Sequence, residues 1–188
     1  VPRSIQLGDM SLDYSALPKG PSHIFVGGNH DNYSVEHPCR RNWGMYEGWF
    51  LIRGAESTDK ALRFEGIDWW AEEQLTRSEG NLVIDEYEKA RPDYVASHDC
   101  PQMVLQQFGI TGKGSRTSQL LQALYDIHQP KRWIFGHHHT DMMMMYDKGE
   151  VKMTSQQVVA GCEGDYTIFQ CLDELSYIDI PRSGKGGL

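Results

Sequence analysis

A chain of 188 residues is long enough for one good hydrophobic core and short for two, so one domain is expected. Apolar residues at 39% and charged residues at 23% are ordinary for a globular protein, while the net charge of −8 argues against a broad nucleic-acid-binding face. No apolar run reaches the length of a membrane span and no signal peptide is visible, so a cytoplasmic protein with no membrane partner is expected.

Short apolar runs rich in β-branched and aromatic residues, each ending in polar residues, read as buried strands. Ser4-Ile5-Gln6-Leu7 runs into Gly8-Asp9, and His23-Ile24-Phe25-Val26 runs into Gly27-Gly28-Asn29-His30-Asp31. Trp49-Phe50-Leu51-Ile52 leads to Arg53-Gly54. Asp68 is a good N-cap for a helix over Trp69–Arg77, and a second helical stretch over Leu82–Lys89 stops at Arg91-Pro92. Tyr94-Val95-Ala96 then leads to Ser97-His98-Asp99. Leu120, Leu121, Leu124 and Ile127 form the apolar stripe of the clearest helix, Ser115–His128, which Pro130 ends. Arg132-Trp133-Ile134-Phe135 leads to Gly136-His137. Beyond Thr140 the pattern turns antiparallel, with a hairpin over Met142–Tyr146 and Val151–Met153, then strands over Tyr166–Cys171 and Ser176–Ile180. The domain is expected to span residues 1–182, with Ser183–Leu188 a flexible tail. Strands alternating with helices give an α/β class, grading into α+β at the C-terminal end.

Asp9, Asn29, His98, His137 and His139 each follow a predicted strand, where open α/β sheets collect ligands. A carboxylate, an amide and imidazoles suit Mn, Fe, Zn or a related divalent ion. Taken singly, an Asp after Gly is a turn residue and a His is a packing or surface residue; five at matching positions form a pattern. The four cysteines, Cys39, Cys100, Cys162 and Cys171, lack CxxC spacing and read as reduced thiols, which disfavours a structural zinc site. A Ser-His-Asp hydrolase is rejected, since there is no GxSxG elbow.

The ordered set Gly8-Asp9, Gly28-Asn29-His30-Asp31, Ser97-His98 and Gly136-His137-His138-His139 resembles the GD, GNHD, single-His and GHxH motifs of the calcineurin-like metallophosphoesterases. The match runs from Asp9 to His139. The resemblance implies a four-layer α/β/β/α sandwich of two mixed β-sheets flanked by helices. It also implies two divalent metal ions, Mn foremost and Fe, Zn, Ni or Co as alternatives, bridged by Asp9. Asn29, His98 and His137 would complete one ion's ligands, and His139 would bind the other ion. The partner implied is a phosphoester substrate (a small molecule, nucleotide or phosphoprotein), attacked by metal-activated water. His30 would be the proton donor to the leaving alcohol. No Asp-x-His precedes Asp9, so the chain, which begins at Val1, is expected to lack the family's first strand; a catalytically silent scaffold of the same fold is the alternative function.

Several residues carry two readings. Asp31 either orients the His30 imidazole or caps a turn. Arg53 either contacts the phosphate of the substrate or forms a salt bridge. Asp99 either supports His98 or caps the next segment. His23, His37 and His128 fit no motif and read as packing or surface, and Trp69-Trp70 reads as core. On an extended segment His137 and His139 share a side and His138 points away, so His138→Ala is expected to leave metal binding nearly intact.

Overall fold

The computed structural model describes residues 3–10, 12–17, 19–20, 22–110, 114–147, 149–154, 166–173 and 176. Apart from Ser176, the strand expected over Ser176–Ile180 lies outside them, as does the tail Ser183–Leu188.

The architecture is mixed α/β, with two sheets. Three parallel strands, β1 (Ser4–Gln6), β2 (His23–Val26) and β3 (Arg40–Arg41), form the smaller one in that order. The larger sheet has seven strands. In spatial order they are β4 (Trp43–Tyr46), β5 (Trp49–Ile52), β6 (Tyr94–Ser97), β7 (Arg132–Phe135), β10 (Thr167–Cys171), β8 (Met142–Asp147) and β9 (Glu150–Met153). Its central strands β5, β6, β7 and β10 run parallel, while β4 on one flank and β8 and β9 on the other are antiparallel.

The side-chain alternation of the central strands explains their uninterrupted apolar runs. Phe50, Ile52, Val95, Trp133 and Phe135 pack on one face against Val83 and Tyr87 of α1 (Arg77–Ala90) and Leu121, Leu124 and Tyr125 of α3 (Arg116–Ile127). Trp49, Leu51, Ala96 and Ile134 on the other face meet Ile24 and Val26 of the smaller sheet. A sheet covered on both faces needs apolar residues at successive positions, which is what the WFLI, YVA and WIF runs supply. Tyr14, Phe25 and Cys39 form a third cluster beneath the smaller sheet, with the His37 ring against Tyr14 and Phe25. His37 is thus a packing residue.

The helix expected over Trp69–Arg77 does not form. Asp68 instead accepts from the Phe64 N–H at 2.6 Å, a Glu65–Trp69 bridge closes the loop, and a single 3-10 turn, Ala71–Glu73, follows. The helix starts later, at a capping box. The Thr76 hydroxyl accepts from the Glu79 N–H and the Glu79 carboxylate from the Thr76 N–H, a pairing that outcompetes the Asp68 signal. From there α1 runs through Gly80-Asn81 to Ala90. Two strands, β3 and β4, and the short helix α2 (Gln102–Leu105) were not expected. Trp70 is buried, as a core residue should be, and among the four methionines of β8 Met144 is the fully buried one. No helix among the described residues is long and apolar enough to cross a membrane.

Candidate metal centre

The strands β1, β2, β6 and β7 all end at one edge, and the residues after them meet there. Gly8 makes the first close approach. Its φ of 112° favours glycine, and a Cβ there would lie 2.9 Å from His98 Cγ and 3.0 Å from Gly28 Cα. Gly28 is as tightly held, since a Cβ would sit 2.7 Å from both the Asp9 N and His98 Cε1. The loop after β1 and the loop after β2 are joined by Asp31. This fully buried carboxylate accepts backbone N–H groups from Asp9 at 3.0 Å, Met10 at 2.8 Å and Gly28 at 2.7 Å. Of the two readings for Asp31, orienting the His30 imidazole or capping a turn, the contacts match the second: both its oxygens accept backbone N–H groups.

Asp9, Asn29 and His98 converge. His98 Nε2 lies 3.0 Å from Asn29 Oδ1 and 3.4 Å from Asp9 Oδ1. Two contacts bear on what those atoms are. His98 Nδ1 meets the Leu7 carbonyl at 2.5 Å, so Nδ1 carries a hydrogen and, in the neutral ring, Nε2 presents its lone pair. Ser57 donates its hydroxyl to Glu73 Oε2 at 2.6 Å, so its oxygen can accept from Asn29 Nδ2 at 3.2 Å, which turns Asn29 Oδ1 toward His98. Glu73 is itself fixed by the Ser57 N–H at 3.0 Å. Three electron-pair donors thus face one another, an arrangement that calls for a cation or an extra proton between them. The spacings suit a cation: with bonds of about 2.1 Å, neighbouring ligand atoms stand about 3.0 Å apart in an octahedron and about 3.4 Å apart in a tetrahedron. The donor set, one carboxylate, one amide oxygen and one imidazole, fits a divalent ion of the Mn or Fe type.

His137 stands beside this group, its ring 5.1 Å from that of His98 between centroids. Burial, and then the neighbouring His98, push its pKa down to about 3, so the imidazole is neutral at physiological pH, as a ligand must be. Of the five described non-glycine residues with positive φ, three are expected ligands: Asp9 (56°), His137 (67°) and His139 (47°). Left-handed backbone at residues bearing a Cβ is disfavoured, and its clustering here marks a turn built for side-chain placement. His139 is exposed on that turn.

His138 points elsewhere, as expected, but the segment is a left-handed turn and not the extended one assumed. Its Nε2 lies 3.3 Å from Asp99 Oδ1 and 3.5 Å from Cys100 Sγ, and its ring stacks on Phe108. Asp99, Cys100 and His138 are the group of described residues whose ligand atoms all fall within 4.8 Å of one another; no ion is needed to explain it. Burial, and secondarily Asp99, raise the Cys100 thiol well above its usual range. Burial disfavours the Asp99 carboxylate, but the opposing causes, the His138 hydrogen bond foremost, outweigh it and hold the carboxyl below its ordinary value. Asp99 accordingly serves His138, not His98.

His30 is half-buried at the rim, its backbone N–H donating to Asp9 Oδ1 at 2.9 Å. Of the two readings for Arg53, the structure shows the ion pair. Its buried guanidinium donates to the Glu72 carbonyl, lies 3.5 Å from Glu79 Oε1, and sits 5.0 Å from the centroid of Tyr33. Tyr33 in turn donates its hydroxyl to the Gly28 carbonyl at 2.9 Å, so Arg53 buttresses the Asn29 loop from below.

Sequence reasoning missed Ser57 and Glu73, and the partnership of Asp99 with His138. None carries a local signal. No protein-family model matches the chain, and neither does any curated protein.

Proposed function

We propose that the chain is a metal-dependent phosphoesterase of the calcineurin-like kind. The observation that carries this reading is the convergence of Asp9 Oδ1, Asn29 Oδ1 and His98 Nε2, with the outer atoms of Asn29 and His98 already committed to Ser57 and Leu7. The resemblance of the GD, GNHD, SH and GHHH motifs supports it from the sequence side. The four-layer sandwich belongs to the same proposal. So do the second ion at His139 and the phosphoester substrate.

Asp9, Asn29, His98 and His137 would hold a divalent ion, which would supply Lewis acidity toward a phosphoryl oxygen and a water nucleophile. The chain's own residues do the rest. Asp31 locks the Asp9 and Asn29 loops together, so their oxygens are placed before any ligand arrives and little reorganisation is needed. Ser57 and Glu73 keep the Asn29 amide from rotating its nitrogen inward. His30, at the rim, delivers a proton to the leaving-group oxygen. His137, neutral through burial, offers a lone pair without first losing a proton.

Hydrolysis of an aryl phosphomonoester and an aryl phosphodiester, measured with added Mn²⁺, tests the reading. Activity that disappears in Asn29→Ala and His98→Ala is the expected result. Mn²⁺ binding with no hydrolysis of either ester would sink the enzyme reading and leave a metal-binding scaffold.

A further inference from the structure

We propose that Asp99 and His138 are positioning residues: their bond ties the loop carrying His98 to the turn carrying His137 and His139, and holds that turn in its left-handed form. The inference rests on the proposed metal centre and explains what shapes it.

Two left-handed residues flanking a single position need something to hold them, because such backbone persists where its surroundings over-determine it. His138 is the residue between them, and it is held on several sides. Its Nε2–H donates to Asp99 Oδ1 at 3.3 Å, both side chains being almost fully buried. Its ring stacks on Phe108 with centroids 4.2 Å apart and planes 16° from parallel. Its own N–H closes onto the Gly136 carbonyl at 2.8 Å, which forms the turn. The other end of the strut is anchored too. Asp99 Oδ1 accepts the Cys100 N–H at 2.7 Å, and Oδ2 faces the hydroxyl of Ser115, the N-cap of α3, at 3.5 Å. Asp99 directly follows His98, and His138 directly follows His137. A bond between the second members of the two pairs therefore sets the spacing of the first members, the 5.1 Å between the His98 and His137 rings. The histidine that points away from the metal centre carries its geometry. On this proposal His138→Ala weakens metal binding, where alternation alone had led to the expectation of nearly intact binding.

Two variants separate the bond from the stacking. His138→Phe keeps an aromatic ring on Phe108 and removes the donor; His138→Gln restores a donor of similar reach. Mn²⁺ is titrated into each full-length chain, with the free ion followed by its paramagnetic resonance signal, and the metal-free crystal structures give the backbone of the turn directly. The expected result is Mn²⁺ binding about 10–100-fold weaker in His138→Phe, the usual loss when a ligand's support is removed, with most of the affinity recovered in His138→Gln. In the metal-free His138→Phe structure, His137 should leave the left-handed region. Asp99→Leu, similar in size but with no acceptor for the His138 N–H, gives a second arm should His138→Phe fail to fold: about tenfold weaker binding supports the strut, and unchanged binding overturns it. A His138→Phe protein that keeps both left-handed residues and wild-type Mn²⁺ affinity overturns it as well. So does a thiolate-to-metal absorption band on Co²⁺ loading that Cys100→Ser abolishes, because the cluster would then hold an ion. If the wild type binds no Mn²⁺ while His138→Phe still loses its turn, the metal reading fails and the strut stands.

Discussion

Acidifying the metal-free protein tests the burial of His137 without any substrate. Its ring is pushed by burial, and then by His98, from the ordinary 6.5 down to about 3. In the unfolded chain the same imidazole takes up a proton near 6.5. Between those two values the unfolded state holds a proton that the native state does not, so native stability rises with pH across the window and is lost as pH falls through it. Relative to neutral pH, the loss attributable to this residue is at most about 2 kcal/mol at pH 5 and about 4 kcal/mol at pH 3. Urea unfolding in the presence of a chelator, at pH 7.5, 6 and 5, gives the stability of wild type and of His137→Asn, which cannot titrate. Acid-sensitive groups far from the ring act on both proteins and cancel in the difference, while His98, Asp99, His138 and Asp9 are coupled to it and enter the comparison. Wild type should lose more than the variant between pH 7.5 and 5, by up to about 2 kcal/mol. Parallel pH dependences in the two proteins would refute the burial argument.

Further outcomes follow from the geometry around the same site. Gly28→Ala places a methyl 2.7 Å from the Asp9 N and from His98 Cε1, so Mn²⁺ binding should be lost and the melting temperature lowered, by an overpacking cost of about 1–3 kcal/mol. Glu73→Gln lets its amide donate to Ser57, which frees the Asn29 side chain to flip; calorimetric Mn²⁺ affinity should fall about tenfold with little change in fold stability. Arg53→Met removes the guanidinium from Glu72, Glu79 and Tyr33, and chemical denaturation should show a loss of about 2 kcal/mol. If Arg53 bound the phosphate of the substrate instead, KM would rise with stability unchanged.

Much of this candidate centre was legible because its residues follow strands directly. A run such as WIF, apolar at successive positions, marks a strand covered on both faces, and whatever follows it arrives at the sheet edge. Asp9, Asn29, His98 and His137 were singled out in this way; His138 does face elsewhere, but the alternation argued for it assumed an extended segment, whereas His137 and His139 are left-handed. The supports were hidden. Ser57 meets Asn29 from 28 residues away, and Asp99 meets His138 from 39 residues away, distances over which sequence spacing carries no signal. Asp31 looked like a partner for the neighbouring His30, yet its oxygens turn to Asp9, Met10 and Gly28, because a buried carboxylate is stabilised by the nearest backbone donors. The misplaced helix at Trp69–Arg77 had a legible alternative. Thr76 and Glu79 spell a capping box, a stronger start signal than an isolated Asp68. The β4 strand was missed because Gly44 and a half-exposed pattern give it no apolar run.

The central claim is that Asp9, Asn29 and His98 hold a divalent ion. Anomalous scattering from crystals of the full chain grown with Mn²⁺ tests it most directly. The account predicts a peak bounded by Asp9 Oδ1, Asn29 Oδ1 and His98 Nε2, with the His137 ring turned toward it. A peak between Asp99, Cys100 and His138, with none at Asp9, would contradict it.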